Sequence, residues 1–431
     1  MAETQPARAV AEPRTWRDHP LVHIVCVFLV CKFLAMAIAL VMVPQFHHVA
    51  GNLQERPDSG WIEPDVGPCP NSRLCTSNRY FNIYSMWFRW DSMHYVDQVE
   101  LPLLAPLTDA EREVLAAEPD FRRFDDVPSL KRFAWPPLYM LLGKPLAAVL
   151  DSAGLALMAV SNLAFLGALW FAYRLGVLVF GNGSAGRWSV TMLALLPTAF
   201  LLQAVLTEPL FLCLSLATFV FAHEKRWWWA GLAALLLGLT RSTGILIALP
   251  LVLLVLEQNG WRFWRWPTIK AGLKALPALI GAPLGWGLFV AWGWWMTGYW
   301  DAYNRVQASI WKVESGSPLD PFRQVFGDLT YHAHTMKLIV VMVLIALLIA
   351  GIRLIPVHFV VWGVLLLVVP LSIGDPWANS LLRYINGVFP LALLAVAVIR
   401  RWPWSQTALV ATLAAFQGTL FLSWELYWSR T

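Results

Sequence analysis

Leu21–Val43 reads L-V-H-I-V-C-V-F-L-V-C-K-F-L-A-M-A-I-A-L-V-M-V, an apolar run carrying one residue of fixed charge, Lys32. About 20 residues of helix cross the hydrocarbon of a bilayer, whereas the apolar part of a cleaved signal peptide covers about 7–15. The run is therefore read as an uncleaved span. Ahead of it, residues 1–20 are polar and hold Pro6, Pro13, Arg8, Arg14 and Arg17, the composition of a disordered cytoplasmic tail. Whatever follows residue 43 is then expected outside. A cation at the middle of a span is costly unless it pairs or snorkels, which makes Lys32 a candidate functional residue. A Lys turned toward protein for packing reasons accounts for it equally well.

The rest of the chain has the same character. Of 431 residues, 58% are hydrophobic and 14% charged, against about 45–50% and about 25% in soluble domains, so the class is an all-α polytopic membrane protein. The 25 Trp residues gather where apolar runs end, as interfacial anchors do. A net charge of +5 is explained by basic cytoplasmic loops, so it is no sign of nucleic-acid binding.

From residue 44 to 153 the chain turns polar and forms an external loop or subdomain too long for a simple connection. Cys69 and Cys75 flank P-N-S-R-L there, and outside the membrane such a pair is expected to form a disulfide. Cys26, Cys31 and Cys213 lie in apolar runs and read as packing residues. No metal-ligand spacing occurs, so no metal is expected. Phe133–Leu150, interrupted by Pro136, Pro137, Lys144 and Pro145, reads as an interfacial or re-entrant helix.

Residues 154–431 read as the transmembrane bundle. Crossings are expected at Gly154–Phe180, Ser189–Val205, Leu210–Ala222, Ala230–Leu239, Ile245–Leu256, Ala271–Thr297, Met336–Ile352, Pro356–Ile373, Tyr384–Ile399 and Ala408–Leu426, with external loops at 298–335 and 374–383. With the first span that makes about eleven transmembrane helices. Arg187, Lys225, Arg226, Arg262, Arg265, Lys270, Arg353, Arg400 and Arg401 fall on the inner connections, as the loop-charge rule requires.

This topology puts scattered polar chemistry on one side. Phe88–Tyr95 reads F-R-W-D-S-M-H-Y, and Asp91 is the candidate catalytic group within it. His94 and Tyr95 share its helical face, and Arg89 is adjacent. Glu208, in the break L-T-E-P, Arg241, in T-R-S-T-G, and Asp375 and Arg383 in the segment 374–383 all fall at the outer face. Each has a plainer reading: Asp91 as a helix N-cap, Glu208 as a cap or the partner of an arginine, the arginines as headgroup anchors, the Trp clusters as interface anchors. A transporter is expected to keep such groups near the midplane of two related halves. An enzyme drawing a lipid-linked donor from the bilayer needs a carboxylate base and cations for phosphate on one side. A lipid or solute transporter or flippase, and a non-catalytic scaffold, are the competing classes.

The ordered segments R-W-D-S-M-H-Y, F-A-W-P-P-L-Y, V-S-N-L-A-F, L-L-P-T-A-F-L-L-Q-A-V-L-T-E-P-L-F, L-T-R-S-T-G and R-Y-I-N-G-V-F-P resemble the PIG-V type mannosyltransferases and their bacterial relatives, from about Phe88 to Pro390. Trp135-Pro136 and Pro209 depart from that pattern. The resemblance implies a GT-C glycosyltransferase fold and an inverting transfer of a sugar, most often mannose, from a polyprenyl-phosphate donor to a glycolipid or glycan acceptor. It implies Asp91 as general base, Arg241 and Arg383 at the donor phosphate, and Glu208, Arg89, His94, Tyr95 and Asp375 around the acceptor. No cofactor beyond the lipid-linked donor is implied. A pentosyl or other sugar specificity is the alternative within the fold. Ala, Arg and Trp usage is that of a high-GC bacterium, which places the expected site on the external side of a plasma membrane.

Overall fold

A computed structural model describes residues 19–54, 85–88, 91–117, 127–327, 332–374 and 376–425. Arg89, Asp375, Cys69, Cys75 and the tail before residue 19 lie outside the described residues. The described elements are helical throughout. In chain order they are α1 (Pro20–Gln54), α2 (Ser92–Glu100), α3 (Asp109–Ala117), α4 (Leu138–Leu150), α5 (Ala153–Phe180), α6 (Gly183–Leu195), α7 (Glu208–His223), α8 (Trp227–Gly238) and α9 (Ala248–Gln258). There follow α10 (Trp266–Thr297), α11 (Ala302–Trp311), α12 (Asp320–Gly327), α13 (His332–Ala350), α14 (Val357–Val368), α15 (Pro376–Asn379), α16 (Leu381–Ile385), α17 (Pro390–Arg401) and α18 (Gln406–Glu425).

Five stretches, Pro20–Val41, Ala153–Phe180, Trp266–Thr297, His334–Arg353 and Pro403–Trp424, are long and apolar enough to cross a bilayer. The other apolar helices are shorter, at 10–17 residues. The boundaries follow from local chemistry. Ser152 Oγ accepts from Leu155 N at 3.3 Å to start α5, and Gly181, at φ 81°, ends it in the left-handed conformation. Asn182 then caps α6 through Ala185 N at 2.8 Å.

Four boundaries differ from the sequence reading. α1 runs on past Val43 to Gln54. The outward run before Glu208 breaks early, at Leu196-Pro197-Thr198, and continues as a short 3-10 turn over Ala199–Gln203. Pro209 sits in the first turn of α7, where a missing N–H costs nothing, so it opens a helix and does not break one. Likewise the segment expected to begin at Tyr384 becomes a regular helix only at Pro390, its first residue. The loop 298–335 is itself helical, containing α11 and α12.

Packing around the short helices is unusually close. α8 and α10 meet through Gly231, Gly238, Gly281 and Gly285; a Cβ at Gly285 would lie 2.1 Å from Leu235 O and one at Gly238 2.3 Å from Ala282 O. Only glycine permits that approach. A core of Phe219, Phe359, Trp362 and Phe389 joins α7, α14 and α17. A second core gathers Met86–Phe88, Tyr95, Tyr139, Phe200, Leu201, Ala204, Val205, Leu206, Phe421 and Trp424, and so ties the segment before α2 to the bundle. At the far end of α7, His223 Nε2 meets His358 Nε2 at 3.1 Å, and His358 bonds Glu257.

Candidate active site

The site forms where helices stop. The chain enters α2 through Trp87, whose carbonyl accepts from Val205 N at 3.0 Å, and Ser92 Oγ donates to Val205 O at 2.8 Å. One irregular residue of the 196–207 segment is thus gripped on both sides by the residues flanking Asp91. Ser161 Oγ donates to Leu206 O at 3.3 Å and is itself bonded to Tyr139 Oη at 2.7 Å. Backbone groups freed by the break therefore find partners inside the protein, as buried backbone must.

Four ionised groups meet there. Arg383, on α16, donates from Nη1 to Asp91 Oδ2, from Nε to Glu208 Oε1 at 2.5 Å and from Nη2 to Tyr95 Oη at 3.1 Å. Arg241 Nη1 donates to the same Glu208 oxygen at 2.6 Å and to Thr207 Oγ1 at 3.0 Å. Arg241 also lies over the Phe211 and Tyr384 rings, at 6.0 and 5.8 Å. Side-chain exposures of 3% for Glu208, 8% for Arg383, 13% for Asp91 and 15% for Arg241 make this a buried network. A planar fork with several donors is what lets Arg383 serve three acceptors, which an ammonium on a single atom would do less well.

These contacts decide between the readings left open by the sequence. Asp91 occupies the N-cap position of α2, and its backbone carbonyl accepts from Tyr95 N at 3.0 Å, yet its side chain makes no capping bond. The carboxylate is turned to Arg383 instead. Glu208 holds both arginines, and neither arginine reaches out as a headgroup anchor. Burial works against charge on Arg383, but Asp91 and Glu208 outweigh it and hold the guanidinium firmly cationic. Burial raises the Tyr95 phenol well above its ordinary range, so it remains protonated.

His94 goes elsewhere. Its ring packs against Trp135 at 5.6 Å and Trp311 at 5.8 Å, while Trp135 also abuts Tyr95 at 4.8 Å. Asp97, the other carboxylate of α2, faces Lys131 at 3.3 Å and takes no part. Sequence reading missed two residues. Thr207 is bonded to Arg241, and its place beside Glu208 in a helix break is the signal that could have found it. Asn386, three residues beyond Arg383, is 2% exposed with both amide atoms unpaired among the described residues, which a chain order alone gives no means of seeing. Among the described residues no cluster of three or more His, Cys, Asp or Glu side chains could hold a metal ion.

No protein-family model matches this chain, and no curated protein matches it. Solved structures that resemble it include the following. One is ArnT from Cupriavidus metallidurans bound to undecaprenyl phosphate, 15% identical, covering 75% of this chain and 62% of that one with a TM-score of 0.46. The other is ArnT from the same organism in the apo state, 18% identical over 73% of this chain and 59% of that one, with a TM-score of 0.44. This chain thus spans about three fifths of the ArnT chains it resembles.

Proposed function

We propose that this protein is a GT-C type membrane glycosyltransferase that moves a sugar, most simply mannose, from a polyprenyl-phosphate donor to an envelope glycolipid or glycan acceptor. The observation that carries the reading is the convergence of Asp91, Glu208, Arg241 and Arg383, from four separate segments, into one buried ionic network. The sequence segments that resemble the PIG-V type enzymes are the segments that supply those residues. A structural network alone has no need of a carboxylate placed beside a helix N-terminus and left uncapped.

In the proposed reaction Asp91 takes the proton of the acceptor hydroxyl. Arg383 engages Oδ2, and Oδ1 has no hydrogen-bond partner among the described residues. The acceptor oxygen forms its bond to the anomeric carbon as the bond from that carbon to the phosphate oxygen breaks, its electron pair leaving with the phosphate. Attack from the face opposite the phosphate inverts the configuration. Arg241 and Arg383 face the oxygen on which charge develops, and Glu208 fixes both guanidiniums, so their positions are set before reaction. Tyr95 bounds the acceptor side, with Arg89 and Asp375 as further proposed contributors outside the described residues.

The test is transfer of label from radiolabelled polyprenyl-phosphate mannose to membrane glycolipid extract, by purified protein and by its Asp91→Asn variant. Transfer by the first and not the second supports class and base together. Equal turnover by both removes Asp91 as base, and absence of transfer with every lipid-linked sugar tried removes the class.

A further inference from the structure

Lys32 stands apart from the network. It lies on α1, within a stretch long and apolar enough to span. Its Nζ donates to Asn162 Oδ1 at 3.3 Å and sits 3.7 Å above the Trp87 ring, and no carboxylate among the described residues pairs with it. One neighbour is fastened to the segment ending in Glu208, and the other adjoins a residue that is. Trp87 O accepts from Val205 N, and Asn162 follows Ser161, whose hydroxyl donates to Leu206 O. The cation is therefore held against Trp87, which is bonded to the third residue before Glu208.

Charge balance gives this a consequence. In the network two guanidiniums face two carboxylates, so a phosphate arriving there meets no net positive charge. Among the described residues Lys32 meets an amide oxygen and a ring face. An ammonium has three N–H donors and Asn162 takes one, which leaves two. A cation kept in an apolar span without a counter-charge is costly and marks a functional position by default. The neighbouring α1 residues Leu29, Val30, Phe33 and Leu34, exposed at 41–61%, present an apolar face along which a lipid can lie. Resting on the transferase reading, we infer that Lys32 is an anion subsite for the phosphate group of a prenyl-chain lipid that approaches the site along α1. The lipid supplies the counter-charge that no described residue provides, and the two arginines remain free of a net excess that would bind phosphate too tightly to release.

The experiment uses the full chain in phosphatidylcholine nanodiscs, with farnesyl phosphate as probe and farnesol as its uncharged control. Lys32→Met is expected to bind farnesyl phosphate about ten- to hundredfold more weakly, the loss of a charge-assisted hydrogen bond, with farnesol binding unchanged and Lys32→Arg close to wild type. Asn162→Asp, an isosteric change that hands Lys32 a carboxylate, is expected to weaken farnesyl phosphate binding as well, and it decides the matter should Lys32→Met fail to fold. Wild-type affinity in folded Lys32→Met or Asn162→Asp protein overturns the inference, as does an equal loss toward farnesol, which would make Lys32 a packing residue. Displacement of farnesyl phosphate by equimolar phosphatidylglycerol or inorganic phosphate overturns the prenyl occupant. Lys32-dependent binding without any transfer sinks the transferase reading alone; Asp91-dependent transfer with Lys32-independent binding sinks this inference alone.

Discussion

Glu208→Gln is the perturbation that tests whether the network acts as a unit. Oε1 of Glu208 accepts from Arg241 at 2.6 Å and from Arg383 at 2.5 Å, and the carboxylate is 3% exposed. Each charge-assisted bond contributes about 1.5–3 kcal/mol, and a neutral amide keeps about half of that. The variant also leaves two guanidiniums facing Asp91 alone, and breaking a buried pair costs about 3–5 kcal/mol, so the expected loss is about 4 kcal/mol. None of the four side chains exceeds 15% exposure, so solvent screening is a minor discount. Arg241→Met removes one guanidinium and leaves Glu208 paired with Arg383, at an expected cost of about 2 kcal/mol. The double variant restores balance, one guanidinium facing one carboxylate, and is expected to lose only about 3–4 kcal/mol, a coupling of about 2–3 kcal/mol. The 25 Trp residues make intrinsic fluorescence a usable signal for unfolding in mixed micelles of rising SDS fraction. Additivity of the two single losses to within about 0.5 kcal/mol would refute the network as a coupled unit.

Two further predictions concern the frame. A Cβ at Gly285 meets Leu235 O at 2.1 Å whereas one at Gly272 meets nothing within 4 Å, so Gly285→Ala is expected to destabilise by about 1–3 kcal/mol and Gly272→Ala not at all; equal unfolding transitions would refute the α8–α10 contact. Glu111 is pushed up by burial but pulled down further by hydrogen bonds from Thr108 and Ser129, so its folded-state pKa lies below the ordinary 4.5. Its stabilising effect is then full above the unfolded pKa and fades as pH falls through the folded one, and the stability gap between wild type and Glu111→Gln is expected to shrink from pH 7 toward pH 3; a gap constant over that range would refute it.

Much of the fold was legible because membrane spanning imposes long apolar runs and because charges are tolerated where helices end. That rule singled out Glu208 and Arg241 at breaks, while Asp91 and Arg383 were read in segments outside the spans. The pairing was not legible. Periodicity places a residue on a face of its own helix, but Arg383 reaches across 292 positions to Asp91, and nothing local says that Glu208 takes both arginines. Other signals were present in the chain and unread. T-D-A-E at 108–111 is a capping box, with Thr108 N donating to Glu111 Oε2 at 2.9 Å and Glu111 N to Thr108 Oγ1 at 3.2 Å. G-A-P-L-G at 281–285 is a small-residue contact motif. Pro209 was taken as an interruption and Pro390 as the interior of a span because proline's role depends on where the helix starts, and the start is set by tertiary contacts.

The same contacts explain why the network can sit among broken helices without loosening. Arg241 lies just past the end of α8, at the N-cap of a 3-10 turn with extended backbone. The glycine contacts fix α8 against α10, and Leu239 O, freed as α8 ends, accepts from Leu138 N at 3.0 Å at the start of α4. Glu208 begins α7 directly after the segment held at Val205 and Leu206, and Asp91, the N-cap of α2, stands four residues after Trp87, whose carbonyl holds Val205. Arg241 and Glu208 are thus each the second residue after a carbonyl, that of Leu239 or Leu206, bonded by a different helix. Side chains placed so have little freedom left, since the backbone on one flank is bonded to a different helix end. A guanidinium aimed by such a frame needs no rearrangement when charge appears on a leaving oxygen, which is the condition under which electrostatic stabilisation is most effective. Irregular backbone that would be a weakness in a simple bundle is here what brings charges from distant segments to one level.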